Sequence, residues 1–288
     1  MTARLLTALG LLIATAFVGG CVLVGEIAMS PQKGRVGAPP AGLTAEAVTV
    51  PVPAREPLAG WYVDAPPGAP AVVLVHGYTD TRRQMIGRAE FLAEAGYAVL
   101  LFDLPAHGES RGERVTFGLH ERHAVSAAVD YVRRRRPMTR VGVLGVSLGA
   151  ASAAMAGRHL EADALVLDEA FATFEATVRA RARWILGPLS PPAEAALVAQ
   201  IRPRLGVPAD SIRPAAALAE SDQPTFVIGG TADRRATPDQ SQALFDAAPG
   251  PKELWMVEGA KHEDLLRREP EAYPARVLAF FDAHLRPG

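Results

Sequence analysis

Gly145-Val146-Ser147-Leu148-Gly149 sets a serine in a G-x-S-x-G spacing. A serine hydroxyl is a poor nucleophile at neutral pH. It needs a base within hydrogen-bond reach, and the base needs an acid to orient it. Of the seven histidines, His262 is best placed as the base, in the loop that follows the apolar run ending at Val257. Asp233, in Gly229-Gly230-Thr231-Ala232-Asp233, directly follows another apolar run and lies between serine and histidine in sequence, which suits it as the acid. Asp168, after Leu165-Val166-Leu167, is the alternative acid; Glu169, Glu263 and Asp264 are weaker candidates. The chemistry would be attack of Ser147 on an acyl carbon, with the developing charge held by two backbone N–H groups. Leu148, next after the serine, is expected to give one. Tyr78, in the loop His76-Gly77-Tyr78, is expected to give the other, and its side chain could line an acyl pocket. His76 and His107 are expected to bond to loop backbone.

These residues need a scaffold that brings loop ends together, and the chain supplies one. Ala71–Val75, 97–103, Val141–Leu144, Ala164–Leu167, Thr225–Ile228 and Glu253–Val257 are apolar runs of the kind found in strands buried on both faces. Val48–Val50 and Gly60–Val63 predict an antiparallel pair before them. Helical patterns over 84–95, 119–135 and 272–284 alternate with the strands. A helix former, 150–156, follows Ser147 directly. The fold class expected is α/β, a mostly parallel central sheet covered by helices on both faces. Ligands in such sheets sit at the carboxyl ends of strands, where every motif above falls. Strand, sharp turn and helix is also the setting that makes G-x-S-x-G a nucleophile elbow.

The segment 171–223 interrupts the alternation. It has helical patches at 174–186 and 193–202, punctuated by Pro188, Pro191, Pro192, Pro203 and Pro208, and reads as a small helical cap over the site. The domain itself is expected to span 45–288.

Residues 1–28 read as a targeting segment outside the fold. Arg4 precedes an uncharged apolar run that closes on Val18-Gly19-Gly20-Cys21. That closure resembles the lipobox of bacterial lipoproteins, with lipid on Cys21, and this is the leading expectation. An uncleaved transmembrane anchor is the alternative, since 5–25 is long enough to cross a bilayer. Both tether the chain to a membrane in the cell envelope; ordinary secretion after cleavage is the third reading, and all three place the folded part outside the cytoplasm or at its membrane. Residues 29–44, rich in Pro, Gly and Ala, read as a flexible tether.

Thirty basic against 31 acidic residues give a net charge of −1, which offers no reason to expect nucleic acid as partner. Arg133–Arg136 sits at a predicted helix end, where the dipole favours cations. No P-loop, H-E-x-x-H or C-x-x-C pattern is present, and His120 with His123 lacks a nearby third ligand, so no cofactor or metal is expected.

His76-Gly77, the 102–110 segment Phe-Asp-Leu-Pro-Ala-His-Gly-Glu-Ser, Gly145-x-Ser147-x-Gly149, Gly230-x-x-Asp233 and Gly259-x-x-His262 together resemble the α/β-hydrolase superfamily, in particular its serine aminopeptidase-like or BEM46-like group. By position, the resemblance implies Ser147 as nucleophile, Asp233 as acid, His262 as base, and Tyr78 and Leu148 as oxyanion donors. Two departures are visible: Lys261 stands where a small residue is common, and Asp168-Glu169-Ala170-Phe171 replaces a more usual Asp-Ser-Pro-Phe/Tyr. Glu169 could therefore bring a second carboxylate to the site. The activity implied is hydrolysis of a small-molecule ester through an acyl-enzyme. Amide or peptide cleavage and acyl transfer on the same triad are the alternatives, followed by a non-catalytic binding module. Arg179, Arg181 and Arg183 fall in the expected cap; one facing the pocket would favour a substrate with an acidic group.

Overall fold

The computed structural model of the chain describes residues 2–262 and 264–286. Glu263, one of the weaker acid candidates, and the last two residues of the expected domain lie outside them. Eight strands form one sheet: β1 (Glu46–Val50), β2 (Leu58–Val63), β3 (Ala71–Val75), β4 (Ala98–Phe102), β5 (Val141–Val146), β6 (Ala164–Asp168), β7 (Thr225–Gly230) and β8 (Lys252–Val257). Their order is β8-β7-β6-β5-β3-β4-β2-β1. The pairs from β4 to β8 are parallel; β1 pairs antiparallel with β2, and β2 antiparallel with β4.

The helices are α1 (Thr2–Met29), α2 (Ile86–Glu94), α3 (Glu121–Arg135), α4 (Leu148–Ala156), α5 (Phe174–Leu186), α6 (Ser190–Val198), α7 (Ile201–Leu205), α8 (Pro214–Leu218), α9 (Pro238–Ala247), α10 (Leu265–Arg268) and α11 (Ala272–Leu285). Strand side chains alternate between two cores. Val73, Val75, Val143 and Leu165 pack with α3, α4 and α9, through Val129, Ala150 and Leu244. Val72, Leu74, Leu144 and Val166 pack with α2 and α11, through Leu92, Val277 and Phe281. This double cover explains why the strand sequences are apolar runs and not alternating ones.

The expected cap consists of α5 to α8 between β6 and β7. It is tied to the body by Phe171, Phe174, Ile201 and Ile212, which pack on Leu119 and on Ala151 of the elbow helix.

The N-terminal region differs from expectation. α1 is one continuous helix, and its last turns are part of the structure: Met29 is buried and its carbonyl accepts from Val115 N at 2.9 Å. Residues 29–44, read as a tether, lie along the domain. Gln32 and Lys33 pair in parallel with His107 and Gly108, Val36 and Leu43 are buried, and Val36 N and Gly37 N donate to Glu109 Oε1 at 3.2 and 3.1 Å. The proline- and glycine-rich composition concealed an extended segment held mainly by backbone hydrogen bonds, which leave no periodic signal.

Candidate active site

β5 runs straight into Ser147 and α4 begins at the next residue, so the serine occupies a turn of one residue. Its backbone is at φ 52°, ψ −110°, outside the ordinary regions for a side-chain-bearing residue. Neighbours hold it there: Ser147 N donates to Asp168 O at 2.7 Å and Ala151 N to Ser147 O at 2.9 Å. The glycines on either side are needed because the chain folds tightly on itself. A Cβ on Gly145 would collide with Ala150 N, and one on Gly149 with the carbonyls of Val75 and His76. The elbow is thereby pressed against the loop after β3, where a Cβ on Gly77 would lie 3.5 Å from Ser147 Cβ.

His262 follows β8, and its Nε2 is 3.1 Å from Ser147 Oγ. Its Nδ1 is 2.7 Å from Asp233 Oδ2. The other oxygen of Asp233 accepts from Arg235 N at 2.7 Å and Ala236 N at 3.1 Å, which fixes the carboxylate in the loop after β7. Asp233 is fully buried at its side chain, and His262 keeps 17 % of its side chain exposed, so the imidazole lies between a dry acid and an accessible hydroxyl. The arrangement can pass a proton from Ser147 Oγ to Nε2 while the carboxylate stabilises the resulting imidazolium.

Asp168 is not part of this chain of groups. Its Oδ2 accepts from Tyr273 OH at 2.7 Å and Arg88 Nη2 at 3.0 Å, all three being buried. Burial alone would lower the Arg88 guanidinium; attraction to Tyr273 and Asp168 outweighs it and holds the group above its ordinary value. Asp264 is also engaged with Arg88, at 3.1 Å. Glu169 does come to the site: its Oε2 is 3.8 Å from His262 Nδ1, its side chain is buried, and its φ is 52°. Glu169, Asp233 and His262 present ligand atoms within 4.8 Å of one another, a spacing a divalent cation would accept. At 2.7 Å the Asp233–His262 pair is already at hydrogen-bond distance, so a proton and an ion would compete for the same atoms.

The loop carrying Tyr78 is set by groups that do not face the hydroxyl. His76 Nε2 accepts from Leu104 N at 2.9 Å, so Nδ1 carries the proton and donates to Gly77 O at 2.7 Å. Burial depresses the His76 imidazole to about 3, which keeps it neutral in this role. Gly77 N donates to Gln84 Oε1 at 2.7 Å and is occupied. Gln84 carried no sequence signal for this function. His107 Nδ1 lies 2.9 Å from Pro105 O, as expected of a loop residue.

Above Ser147 lies a pocket of about 490 Å³. Tyr78, Leu148, Phe117 and Phe174 stand in its wall. Arg181 lines it too, whereas Arg179 points away to Glu194 at 2.8 Å. The sequence reading missed one entire wall, which comes from α1. Ala16, Phe17, Gly20, Cys21, Val24, Gly25, Ala28 and Met29 are a single helical stripe. That period was present in the sequence, but uniform apolarity of the segment hid it.

The sequence model of the Hydrolase_4 family, described as serine aminopeptidase S33, matches residues 67–216, slightly more than half of the chain. The chain belongs to this family. The match covers the S33 elbow and the loop of Tyr78 but ends before Asp233 and His262, which the fold brings to Ser147. The Bacillus subtilis (strain 168) protein YqkD is 27% identical over 232 residues, 77% of this chain and 74% of its own. Among solved structures, the Pyrococcus furiosus esterase Pf2001 superposes with a TM-score of 0.73 at 24% identity, covering 89% of this chain and 98% of the other. Est1E from Butyrivibrio proteoclasticus, solved with ferulic acid, gives 0.61 at 22% identity, covering 81% and 98%. These likenesses show the α/β-hydrolase fold, and the family makes this S33 member a hydrolase.

Proposed function

We propose that this chain is a serine hydrolase that cleaves a carboxylic ester through an acyl-enzyme. The observation that carries the reading is the continuous line Ser147 Oγ–His262 Nε2, 3.1 Å, and His262 Nδ1–Asp233 Oδ2, 2.7 Å, with Ser147 itself in the wall of an apolar pocket. Ser147 Oγ attacks the acyl carbon as His262 Nε2 takes its proton. Backbone N–H groups of Leu148 and Tyr78 receive the oxyanion. The imidazolium, stabilised by Asp233, returns the proton to the leaving alcohol, and water then repeats the sequence to free the acid.

An ester is favoured over a peptide by the pocket lining. Gripping a peptide's terminal ammonium calls for a carboxylate in the wall. Among the described residues the lining holds no Asp or Glu, and its charged members are Arg181 and Arg204. The family description supports amide cleavage as a second reading.

The test is fluorophosphonate labelling of the full chain beside Ser147→Ala, with p-nitrophenyl esters and aminoacyl anilides run in parallel. Labelling lost in the variant, with esters turned over faster than anilides by about 100-fold or more, is the expected result. Absence of labelling in folded protein would return the binding-module reading, and faster anilides would favour the peptidase.

A further inference from the structure

α1 is at once a wall of the pocket and a helix long and apolar enough to cross a membrane: its most apolar 18-residue stretch, within 4–29, has a mean hydropathy of 2.3. Between Arg4 and Glu26 the helix has no charged residue, a rise of roughly 32 Å at 1.5 Å per residue, against a hydrocarbon thickness of about 30 Å. Glu26 marks the lower end, bound to Arg114 and Arg204 at 3.3 Å each. The part of α1 that lines the pocket above Glu26, Ala16 to Gly25, therefore belongs to the charge-free run. The pocket reaches a level that a bilayer would occupy.

The opposite wall agrees. α5 gives a matching stripe, Phe174, Val178, Arg181, Ala182 and Ile185, so the pocket is a groove between two nearly apolar helix faces. At its rim, Ile185 is 69% exposed and Leu189, just beyond, 78%, with Trp184 and Leu186 beside them. Met138 apart, every large apolar side chain that is strongly exposed among the described residues lies on α1 or in this cap tip. Exposed apolar surface so concentrated marks a membrane contact. The cap is also fastened to α1: Gln200 Nε2 donates to Cys21 O and Arg204 Nη2 to Val22 O, both at 3.0 Å, and Tyr78 OH, beside Ser147, donates to Ala28 O at 3.0 Å.

We propose that α1 crosses the bilayer while the cap tip dips into its near leaflet, and that the α1–α5 groove admits the acyl chain of a bilayer lipid ester sideways from that leaflet to Ser147. The proposal rests on the hydrolase reading above. Hydrolysis breaks the acyl C–O bond; water's hydroxyl goes to the acyl carbon and its proton to the lipid alcohol, leaving a free fatty acid in the membrane.

The test uses the full chain reconstituted in phosphatidylcholine vesicles carrying a dioleoylglycerol, with released oleate measured beside turnover of water-soluble p-nitrophenyl acetate. Oleate release from glycerolipid or phospholipid is expected. Val24→Trp, which fills the groove from an exposed position of α1, should lower the ratio of oleate release to acetate turnover by about tenfold or more. Trp184→Ser with Leu189→Ser should lower oleate release relative to acetate in the same direction. Acetate turnover and fluorophosphonate labelling without oleate release would overturn this inference and leave the hydrolase standing, as would an unchanged ratio in Val24→Trp. Loss of labelling and of all ester turnover in folded protein would overturn both.

Discussion

At Ser147, function and comfort pull in opposite directions. A serine at φ 52°, ψ −110° costs about 1–3 kcal/mol relative to an ordinary conformation, and the bonds to Asp168 O and from Ala151 N keep it there. Ser147→Gly should therefore unfold at higher denaturant than the parent while losing all labelling; a less stable variant would show that the backbone is not strained. The two aspartates after strands should separate cleanly. Asp233→Asn leaves His262 without its acceptor and should lower turnover by roughly 10⁴. Asp168→Asn removes the buried anion of Arg88 and leaves it only the half-exposed Asp264, which should cost about 3 kcal/mol of stability, with turnover per folded molecule largely kept. If Asp168→Asn proved the greater loss of turnover, the acid would be assigned wrongly. Sequence could not rank them decisively, because both follow strands of one parallel sheet. What separates them is Arg88, 80 residues away from Asp168 and brought to it only by folding.

His76 adds a pH dependence at the same scale. Burial holds it at about 3 in the folded chain, below its ordinary value, so between that value and pH 6.5 the unfolded chain binds the extra proton. Stability then rises with pH through this window and is lost on acidification, by about 1.4 kcal/mol per pH unit for one proton. Urea midpoints of the parent and His76→Asn, compared from pH 7 to 5, should differ in slope by about one proton. Parallel slopes would mean that His76 protonates as readily folded as unfolded.

The elements were read with uneven success, for physical reasons. Buried parallel strands announce themselves by uninterrupted apolar runs. Helix α5 has the bounds its pattern predicts, and the structure shows Thr173 capping it, accepting from Ala176 N, and Gly187 ending it. The next helical patch, read as 193–202, is two helices. Pro203 has no N–H to give to Ala199 O, so the ladder breaks between Val198 and Ile201. α6 begins earlier than expected because Pro191 and Pro192 sit in its first turn, where no donor is missed. The elbow allows a test on this scale. Gly149→Val would press the α4 backbone away from Val75 and His76, costing about 1–3 kcal/mol of stability and abolishing fluorophosphonate labelling even in the folded fraction. Normal labelling would mean that the two segments can part without disturbing Ser147.

For the whole molecule, composition and motif order were enough for the α/β-hydrolase fold, but they separated the N-terminus from a domain to which it is joined. The contacts that join them are few and long-range, such as Tyr78 OH to Ala28 O, 50 residues apart, and no local pattern encodes them. They also bear on processing. Cleavage before Cys21, as the lipobox-like closure would direct, removes Ala16, Phe17 and Gly20 from the pocket wall. We expect the functional chain to keep them. Intact-mass measurement of membrane-purified protein, with fatty-acid labelling of the parent and Cys21→Ala, checks this; a mature chain beginning at a lipidated Cys21 would contradict it.

A helix that forms one side of the pocket and, as proposed, lies in a bilayer would change what concentration means for the enzyme. Catalyst and substrate would share a plane, and encounters would depend on the mole fraction of ester among neighbouring lipids, not on its amount per volume of buffer. Diluting the reaction with more buffer should leave the rate per enzyme unchanged, whereas diluting it with inert lipid should slow it in proportion.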